Sequence, residues 1–584
     1  MKNLTQQLIE LFSDAAASAY PQLCERGKHP ELEIKQATHE QFGHYQCNSA
    51  MRLAKDLREP PRKIAENLIA EIEKNDGSLI EKMEAAGPGF INITLNPDQI
   101  AAFADRMLRN KQFGLETARQ KKVIVEFSSP NTAKELHVGH LRSTIIGDSI
   151  ARIFEYFGHD VLRLNHVGDW GTQFGMLIAY MKEEAPEVLK GNRDTDLSHL
   201  VDWYKAAKKK FDEDPDFRKR SQLEVVALQG GDPESFHAWE IICGISRKAY
   251  REIYDLLDVK IEERGESFYN PVLADTVKEL EKLGLVEISE GAKCIFLEGY
   301  KNREGKPLPM LIQKSDGGYN YDTTDMAAIR QRLLEEKADR IIYVTDAGQS
   351  LHFQMIFDAA RKAGWLDDGK VQMDHVTFGL VLGPDGKKFR TRSGETEKLI
   401  DLLFKAVEKA KEIVREKNPD MDEKQLEELA RKIGIGAVKY ADLSTNRVSD
   451  YTFSYDRMLR FDGNTAAYLM YCYVRVNGIK RKTGSDIEKV IEESSLNLSH
   501  ASEIALALHL ARFGEVLERV MDDLLPNRLT DYLYSLAEKF NAFFRDCRVE
   551  GSDEENSRLL LCEITSRVMR TGLHLLGVET VERM

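Results

Sequence analysis

The chain has 584 residues, 42% hydrophobic and 30% charged, which supplies several cores and excludes an intrinsically disordered protein. Its formal charge of −14 argues against nonspecific coating of DNA, although a local basic surface can coexist with a negative total. Seven scattered cysteines without a C-x-x-C pair argue against a disulfide framework or structural zinc, and the lack of a secretory leader or a membrane-length apolar run gives the expectation of a soluble, cytoplasmic protein with no membrane partner.

Residues 1 to about 115 read as a small α+β domain. Helical patterns at Leu4 to Ala17 and Ile64 to Glu73 frame strand-like LEIKQAT, from Leu32, and FINITL, from Phe90, with Gly87-Pro88-Gly89 as a turn. At Lys121 the texture changes. KKVIVEFSSPN is a β-rich run ending in turn residues, ELHVGHLRSTIIGDSIARIFEYFG has apolar residues at helical spacing, and DVLRLNHVGDWG is another strand closed by a glycine-punctuated loop. Strand, helix and strand within about fifty residues make a βαβ unit and hence a parallel sheet. A second half follows in GYNYDTTD, a helix to Glu336, ADRIIYVTD and HVTFGLVLG. Charged, helical residues from about 182 to 260 form an insertion between the halves. The expected fold class is α/β: a Rossmann-like parallel-sheet domain over 116–400, preceded by the α+β domain and followed by helices, divided into 401–463 and an all-α domain over 464–584.

The junction SSPNTAKELHVGH, Ser128 to His140, sits where a strand gives way to a helix. Open parallel sheets bind ligands at the carboxyl ends of their strands, and free N–H groups at a helix start favour phosphates. His137 and His140 share one face of the first turn, and Gly139 lets a flat group approach the backbone. With Lys134 and Asn131 just ahead, this suits a nucleoside triphosphate held while charge builds; the plainer reading is a set of polar residues that cap a helix. KKFRTRSG, Lys387 to Gly394, follows the turn Pro384-Asp385-Gly386 and puts cations on a loop that can close on a leaving anion, although a charge run alone is more often simply solvated. In NTAAYLMYCYVRV, Tyr468, Tyr471 and Arg475 fall at i, i+3 and i+7 on one helix face. Aromatics stack on unpaired bases and arginine meets phosphate; the competing reading is a core stripe.

HVGH resembles the HIGH signature of class I aminoacyl-tRNA synthetases. The longer EFSSPNTAKELHVGHLRSTIIGDS, with NHVGDWGTQFGMLIAY, is similar specifically to the arginyl-tRNA synthetases, and the likeness runs from FGHYQCN at Phe42 to VERM at the terminus. The resemblance implies a ligase that joins L-arginine to tRNA(Arg) with ATP as substrate, Mg²⁺ assisting without a protein metal cage, acting as a monomer with no DNA partner and needing tRNA for its first step. It implies that Lys134, His137, Gly139 and His140, with Lys388, Arg390 and Arg392, stabilise the reacting phosphates. Lys388-Phe389-Arg390-Thr391 stands where the family has K-M-S-K, and Lys134 is the implied replacement for the missing second lysine. An arginine site follows: Glu126 and Asp325 toward the guanidinium, Tyr321 shaping the pocket, and Ser129, Asn131 and Gln349 lining the rest. On the residues alone, Asp325 reads equally well as a helix N-cap, whereas Glu126, an acid in a buried parallel strand, needs a partner. The family likeness also directs residues 1–115 to the tRNA elbow, 401–463 to its stem and 464–584 to the anticodon, with Phe544 and Met584 joining Tyr468, Tyr471 and Arg475. Two alternatives are a class I synthetase for another amino acid, of which the cysteine and methionine enzymes would show zinc ligands, and a non-catalytic binding protein on the same fold. The loop GDWGTQFG, Gly168 to Gly175, looks functional, but no role follows from its sequence.

Overall fold

The computed structural model describes residues 2–24, 30, 32–74, 78–115, 119–383, 385–387, 389 and 397–584. Its organising element is a five-stranded sheet in which every pairing is parallel. The spatial order is Gln372–Phe378, Arg340–Asp346, Lys122–Glu126, Asp160–Asn165 and Glu262–Glu263. Val123, Ile124 and Val125 in the central strand are 0% exposed, because helices cover both faces of the sheet. Helix Val138–Tyr156 lies on one face, with Ile145, Ile146 and Ile150 in the same core as Val123 and Val125. Helices Tyr321–Leu334 and Ser350–Lys362 supply Met326, Ile329 and Phe353 to a second core around Ile124 and Ile341. From the central strand the chain moves first to Asp160–Asn165 on one side and later to Arg340–Asp346 on the other. This reversal opens a crevice over the carboxyl ends of the central strands. The first helix packs tightly above it: a Cβ on Gly147 would come within 2.3 Å of the Phe127 ring.

The amino-terminal block is a four-stranded antiparallel sheet in the order Ile34–Gln36, Tyr45–Cys47, Phe90–Leu95, Ile80–Ala86, covered by helices including Leu4–Ala19, Pro61–Lys74 and Pro97–Arg109. The turn at Gly87 and Gly89, both at positive φ, joins its last two strands. Between the halves of the parallel sheet lie the helices Thr172–Glu184, Leu197–Glu213, Pro215–Gln229 and Pro233–Leu256. A three-stranded antiparallel sheet, Glu287–Ser289, Ala292–Lys301 and Pro307–Gln313, comes next. That sheet is hard to foresee, since its last strand, PLPMLIQ, carries two prolines.

Beyond residue 397 the structure is almost wholly helical, from Leu399–Lys417 and Glu423–Leu443 through Ala466–Thr483 to Glu555–Leu575. The amino-terminal block docks on this bundle. The Tyr45 hydroxyl donates to Glu515 (2.9 Å), and the Arg512 guanidinium donates to the His44 carbonyl (2.7 Å). Helix Val138–Tyr156 is fastened to the bundle as well. Arg142 pairs with Asp442 at 3.1 Å, with neither side chain more than 1% exposed. Arg152 donates to the carbonyls of Asp258 (2.5 Å) and His574 (3.4 Å), and the buried Lys439 ammonium donates to those of Leu257 and Gly577. All seven cysteines are free thiols, and all except Cys24 are buried. Among the described residues no helix is long and apolar enough to cross a membrane.

Candidate active site

A cavity of about 750 Å³ occupies the crevice, within the usual range for small-molecule sites. Its floor is built where the central strand ends. Ser128, Ser129 and Ala133 all adopt left-handed φ, at +69°, +47° and +59°, a costly conformation that persists only when the surroundings enforce it. Here they do. The Ser128 N–H donates to Ser143 Oγ (2.9 Å), and the Ser143 hydroxyl donates to the Val344 carbonyl (2.6 Å). Ser128 Oγ lies 2.8 Å from the Tyr254 hydroxyl, and the Ser129 N–H donates to Asn165 Oδ1 (3.0 Å). The two neighbouring strands and the covering helix thus fix the turn that carries Ser129 and Asn131 into the cavity wall.

At one end of the cavity stand the paired histidines. His137 is the N-cap of helix Val138–Tyr156: its Nδ1 accepts from the Gly139 N–H (3.0 Å), and His140 Nδ1 accepts from the His137 N–H (3.1 Å). The rings are 4.0 Å apart. Capping and site-building are therefore one arrangement. A neutral imidazole that accepts at Nδ1 carries its proton on Nε2, as His140 does. Burial, reinforced by the charges of His137 and Lys134, pushes His140 down to about 3, so it stays neutral. Gly139 is needed for the histidine itself, since a Cβ there would come within 2.9 Å of the His137 ring. Lys134 is exposed just outside, close enough for its charge to act on His140. Phe389 forms part of the wall, its N–H donating to the Val381 carbonyl (3.0 Å) and its ring 5.2 Å from Phe453. Lys388, Arg390 and Arg392 lie outside the described residues.

The other end is acidic. Glu126 is buried, and its carboxylate lies 2.5 Å from the Arg332 guanidinium, so the partner that a buried acid requires comes from within the chain. Asp325 is not a helix cap. Asn320 fills that position, its side chain accepting from the Thr323 N–H, and Asp325 sits a turn further on, lining the cavity. Its carboxylate is 2.6 Å from His352 Nε2 and 3.5 Å from His166 Nε2, while His352 Nδ1 is 3.2 Å from Asp322. Although burial opposes it, the carboxylates of Asp322 and Asp325 hold the His352 imidazolium up to about 9. Against its own burial, Asp325 is kept below the ordinary carboxylate range by His352 and His166.

Sequence reasoning missed Glu266, which also lines the cavity. Burial and then the charges of Asp325 and Asp169 push its carboxyl up to about 8. Tyr321, 60% exposed, stands at the mouth with its ring edge-on to His352 at 5.2 Å, and Gln349 lines the rim. Within this end Glu126 and Arg332 cancel, and Asp322, Asp325 and His352 together leave one negative charge. Ionised Glu266 adds a second. The cavity end therefore favours a small cation. Among the described residues no group of three or more His, Cys, Asp or Glu is arranged to hold a metal ion.

A second surface lies on the helical bundle. Arg475 donates to Asn541 (2.9 Å) and to the Tyr471 hydroxyl (3.0 Å), and its guanidinium stacks 4.9 Å over Tyr471 and 5.7 Å over Phe544. Tyr468 joins through its hydroxyl, which accepts from Asn541 (2.8 Å). Tyr471 and Phe544 are 43% and 45% exposed and face solvent, whereas Tyr468 packs partly buried against the core. Met584 ends the chain half-buried against the hydrophobic core, and nearby Glu582 meets Tyr473 on a different face of the same helix.

Comparison with known proteins matches three families along the chain. "Arginyl tRNA synthetase N terminal domain" covers residues 6–95, "tRNA synthetases class I (R), catalytic domain" covers 103–455, and "DALR anticodon binding domain" covers 469–584. Among curated relatives, the arginine–tRNA ligase of Protochlamydia amoebophila is 61% identical, and that of Trichodesmium erythraeum 50%, each over 100% of both chains. The crystal structure of arginyl-tRNA synthetase from Plasmodium falciparum superposes with a TM-score of 0.86 at 35% identity, covering 100% of both chains. The Thermus thermophilus arginyl-tRNA synthetase, at 24% identity and a TM-score of 0.79 over 100% of both chains, has the same fold. A strand-to-helix histidine pair, an acidic cavity beside it and full-length identity well above the level that defines a family lead to one conclusion: the chain belongs to the arginyl-tRNA synthetases, in the class I aminoacyl-tRNA synthetase family.

Proposed function

We propose that this chain converts ATP, L-arginine and tRNA(Arg) to AMP, pyrophosphate and L-arginyl-tRNA(Arg) through an arginyl-adenylate. The observation that carries the reading is the cavity itself, with an acidic end adjoining a helix start lined by two histidine rings. The substrate guanidinium lies against Asp325 and Glu266, with Tyr321 closing over it. Glu126, neutralised by Arg332, supplies a fixed acceptor and not a free charge. Ser129, Asn131 and Gln349 take the α-amino and carboxylate groups. An amino acid without a cation leaves those carboxylates desolvated and unpaired, which penalises it heavily.

The triphosphate, entering with Mg²⁺ as part of the substrate, lies over the start of helix Val138–Tyr156. The arginine carboxylate attacks the α-phosphorus, and the bond to the bridging oxygen breaks as pyrophosphate leaves. His137 and His140 donate from Nε2 to the phosphate oxygens on which charge builds. Lys134, Lys388, Arg390 and Arg392 offset charge on the departing group. A neutral His140 suits this role, because it gives a hydrogen bond without giving up a proton. The terminal ribose hydroxyl of tRNA then attacks the arginyl carbonyl carbon. AMP leaves, and the hydroxyl proton passes to the departing phosphate oxygen. Gly139 admits the histidine ring on which the cradle depends.

The bundle surface of Tyr468, Tyr471, Arg475 and Phe544 receives unpaired anticodon bases by stacking, with Met584 as a further contact, while residues 401–463 meet the stem and 1–115 the elbow. The protein works as a cytoplasmic monomer. Charging purified tRNA with each of the twenty amino acids tests the reading. Arginine alone is expected to be accepted, and D325N to lose arginine affinity without changing the KM for ATP. Acceptance of another amino acid, or an unaltered arginine KM in D325N, would overturn it.

A further inference from the structure

The loop that begins GDWG has a structural role that its sequence does not disclose. Residues 167–170 run between the two walls of the acidic end and are hydrogen-bonded to both. On one side the Gly168 N–H donates to the Pro130 carbonyl (3.0 Å) and the Thr132 N–H donates to the Gly168 carbonyl (3.0 Å), which bridges Gly168 to Asn131. On the other side the Glu266 N–H donates to the Val167 carbonyl (3.0 Å). The Asp169 carboxylate reaches the same segment, accepting from the Ser267 N–H (2.8 Å) and the Ser267 hydroxyl (2.6 Å). Its own carbonyl accepts from Trp239 Nε1 (2.7 Å), and the side chain is buried.

Contacts at both walls leave no room for adjustment. A Cβ on Gly168 would come within 2.2 Å of Asn131 Oδ1, and one on Gly265 within 2.5 Å of the Asp169 carboxylate. Two glycines thus let one buried acid draw the chain around Glu266 against the chain around Asn131.

We infer that Asp169 is a positioning residue for amino-acid selection: by clamping Ser267 it sets Glu266 opposite Asn131 across the arginine end of the cavity. The inference rests on the proposed arginine site. Asp169 touches no substrate and acts through Glu266. Its carboxylate, unlike an apolar side chain, satisfies the backbone N–H and the hydroxyl of Ser267 together, so a small apolar replacement frees the segment and leaves a buried donor unpaired. Displacing a recognising group by an ångström costs up to about a hundredfold in a preorganised site.

The test measures steady-state tRNA charging with arginine and with citrulline, its neutral isostere. At pH 8.5, where Glu266 is already mostly ionised, D169A is expected to raise the arginine KM about tenfold or more and to shrink the arginine-over-citrulline ratio, while the KM for ATP and that for tRNA stay within about twofold. D169N retains an acceptor toward the Ser267 N–H and is expected to recover most of the loss, which a requirement for negative charge alone would not allow. If D169A does not fold, G265A carries the same expectation by pushing the segment off Asp169, whereas S267A, which keeps the bond from its own N–H, is expected to behave like D169N. In a double mutant with E266Q, D169A should add little to the arginine KM, because both act at one group. Three results overturn the inference: an unchanged arginine KM in the D169A or G265A protein, a matching rise in the ATP KM, or full additivity with E266Q. An arginine KM unaffected by E266Q itself would instead refute the proposed arginine site, so the two failures are distinguishable.

Discussion

Removing the ionisable carboxyl at position 266 should abolish a pH dependence of substrate binding that the cavity builds in. Burial and the nearby charges of Asp325 and Asp169 hold this carboxyl at about 8, from an ordinary 4.5. Roughly one molecule in ten is then ionised at pH 7 and about three in four at pH 8.5. The arginine guanidinium stays protonated throughout and needs the ionised form. The arginine KM should therefore fall about eightfold between pH 7 and pH 8.5, with binding accompanied by proton release at neutral pH. Tritiated-arginine charging at saturating ATP and tRNA gives the KM profile, and calorimetry in buffers of different ionisation enthalpy gives the proton count. E266Q should bind arginine more weakly and show a flat profile apart from the titration of the substrate's α-amino group, which both proteins share. The same raised carboxyl weakens the ligand-free fold as pH rises from 4.5 toward 8, so the melting temperature of E266Q should overtake that of the parent across that window. A parent profile without slope, or a slope that survives in E266Q, would refute the reasoning.

Other expectations concern separate parts of the molecule. Because His352 is held up to about 9 from 6.5, the stabilisation it shares with Asp322 and Asp325 is fully present below pH 6.5 and is lost as pH rises through 9; urea titrations should find the gap between parent and H352N closing over that range. His140, held at about 3, should show no imidazole titration by NMR between pH 5 and 8. R142A strands Asp442 without its buried partner and should cost about 3–5 kcal/mol of unfolding free energy, whereas an exposed substitution such as K219A should cost almost nothing. Y471A and F544A should each raise the KM for tRNA, by about 1–3 kcal/mol of lost stacking, with the arginine KM unmoved; equal losses at both substrates would mean that the helix had been damaged instead.

Periodicity and punctuation made part of this legible in advance. The strand, the helix and the histidine pair at their junction all follow from local pattern, since a helix start and a parallel strand are each specified by consecutive residues. Tyr468, Tyr471 and Arg475 are brought together because spacing on one helix is fixed by its pitch. Partnership across the fold was not legible. Nothing adjacent to Glu126 indicates that Arg332, more than two hundred residues later, neutralises it. Asp325 looked equally like a cap because the true cap, Asn320, is just as ordinary a residue type. Glu266 sits in a run with Glu262 and Glu263, and only the backbone pairing with Val167 turns it toward the cavity. His352 and His166 were invisible for the same reason: their significance lies in the carboxylates they meet, which sequence distance conceals.

Helix Val138–Tyr156 acts as a lever. Its 19 residues span about 28 Å, with the histidine pair at one end, Arg142 anchored to the carboxyl-terminal bundle near that end, and Arg152 anchored to it at the other. Being one continuous rod, it transmits a displacement of the bundle without passing through a loop. A tilt of about 5° moves the far tip by about 2 Å, enough to make or break a hydrogen bond to a phosphate. A displacement of the bundle would therefore reach the nucleotide end of the cavity directly, along a single element.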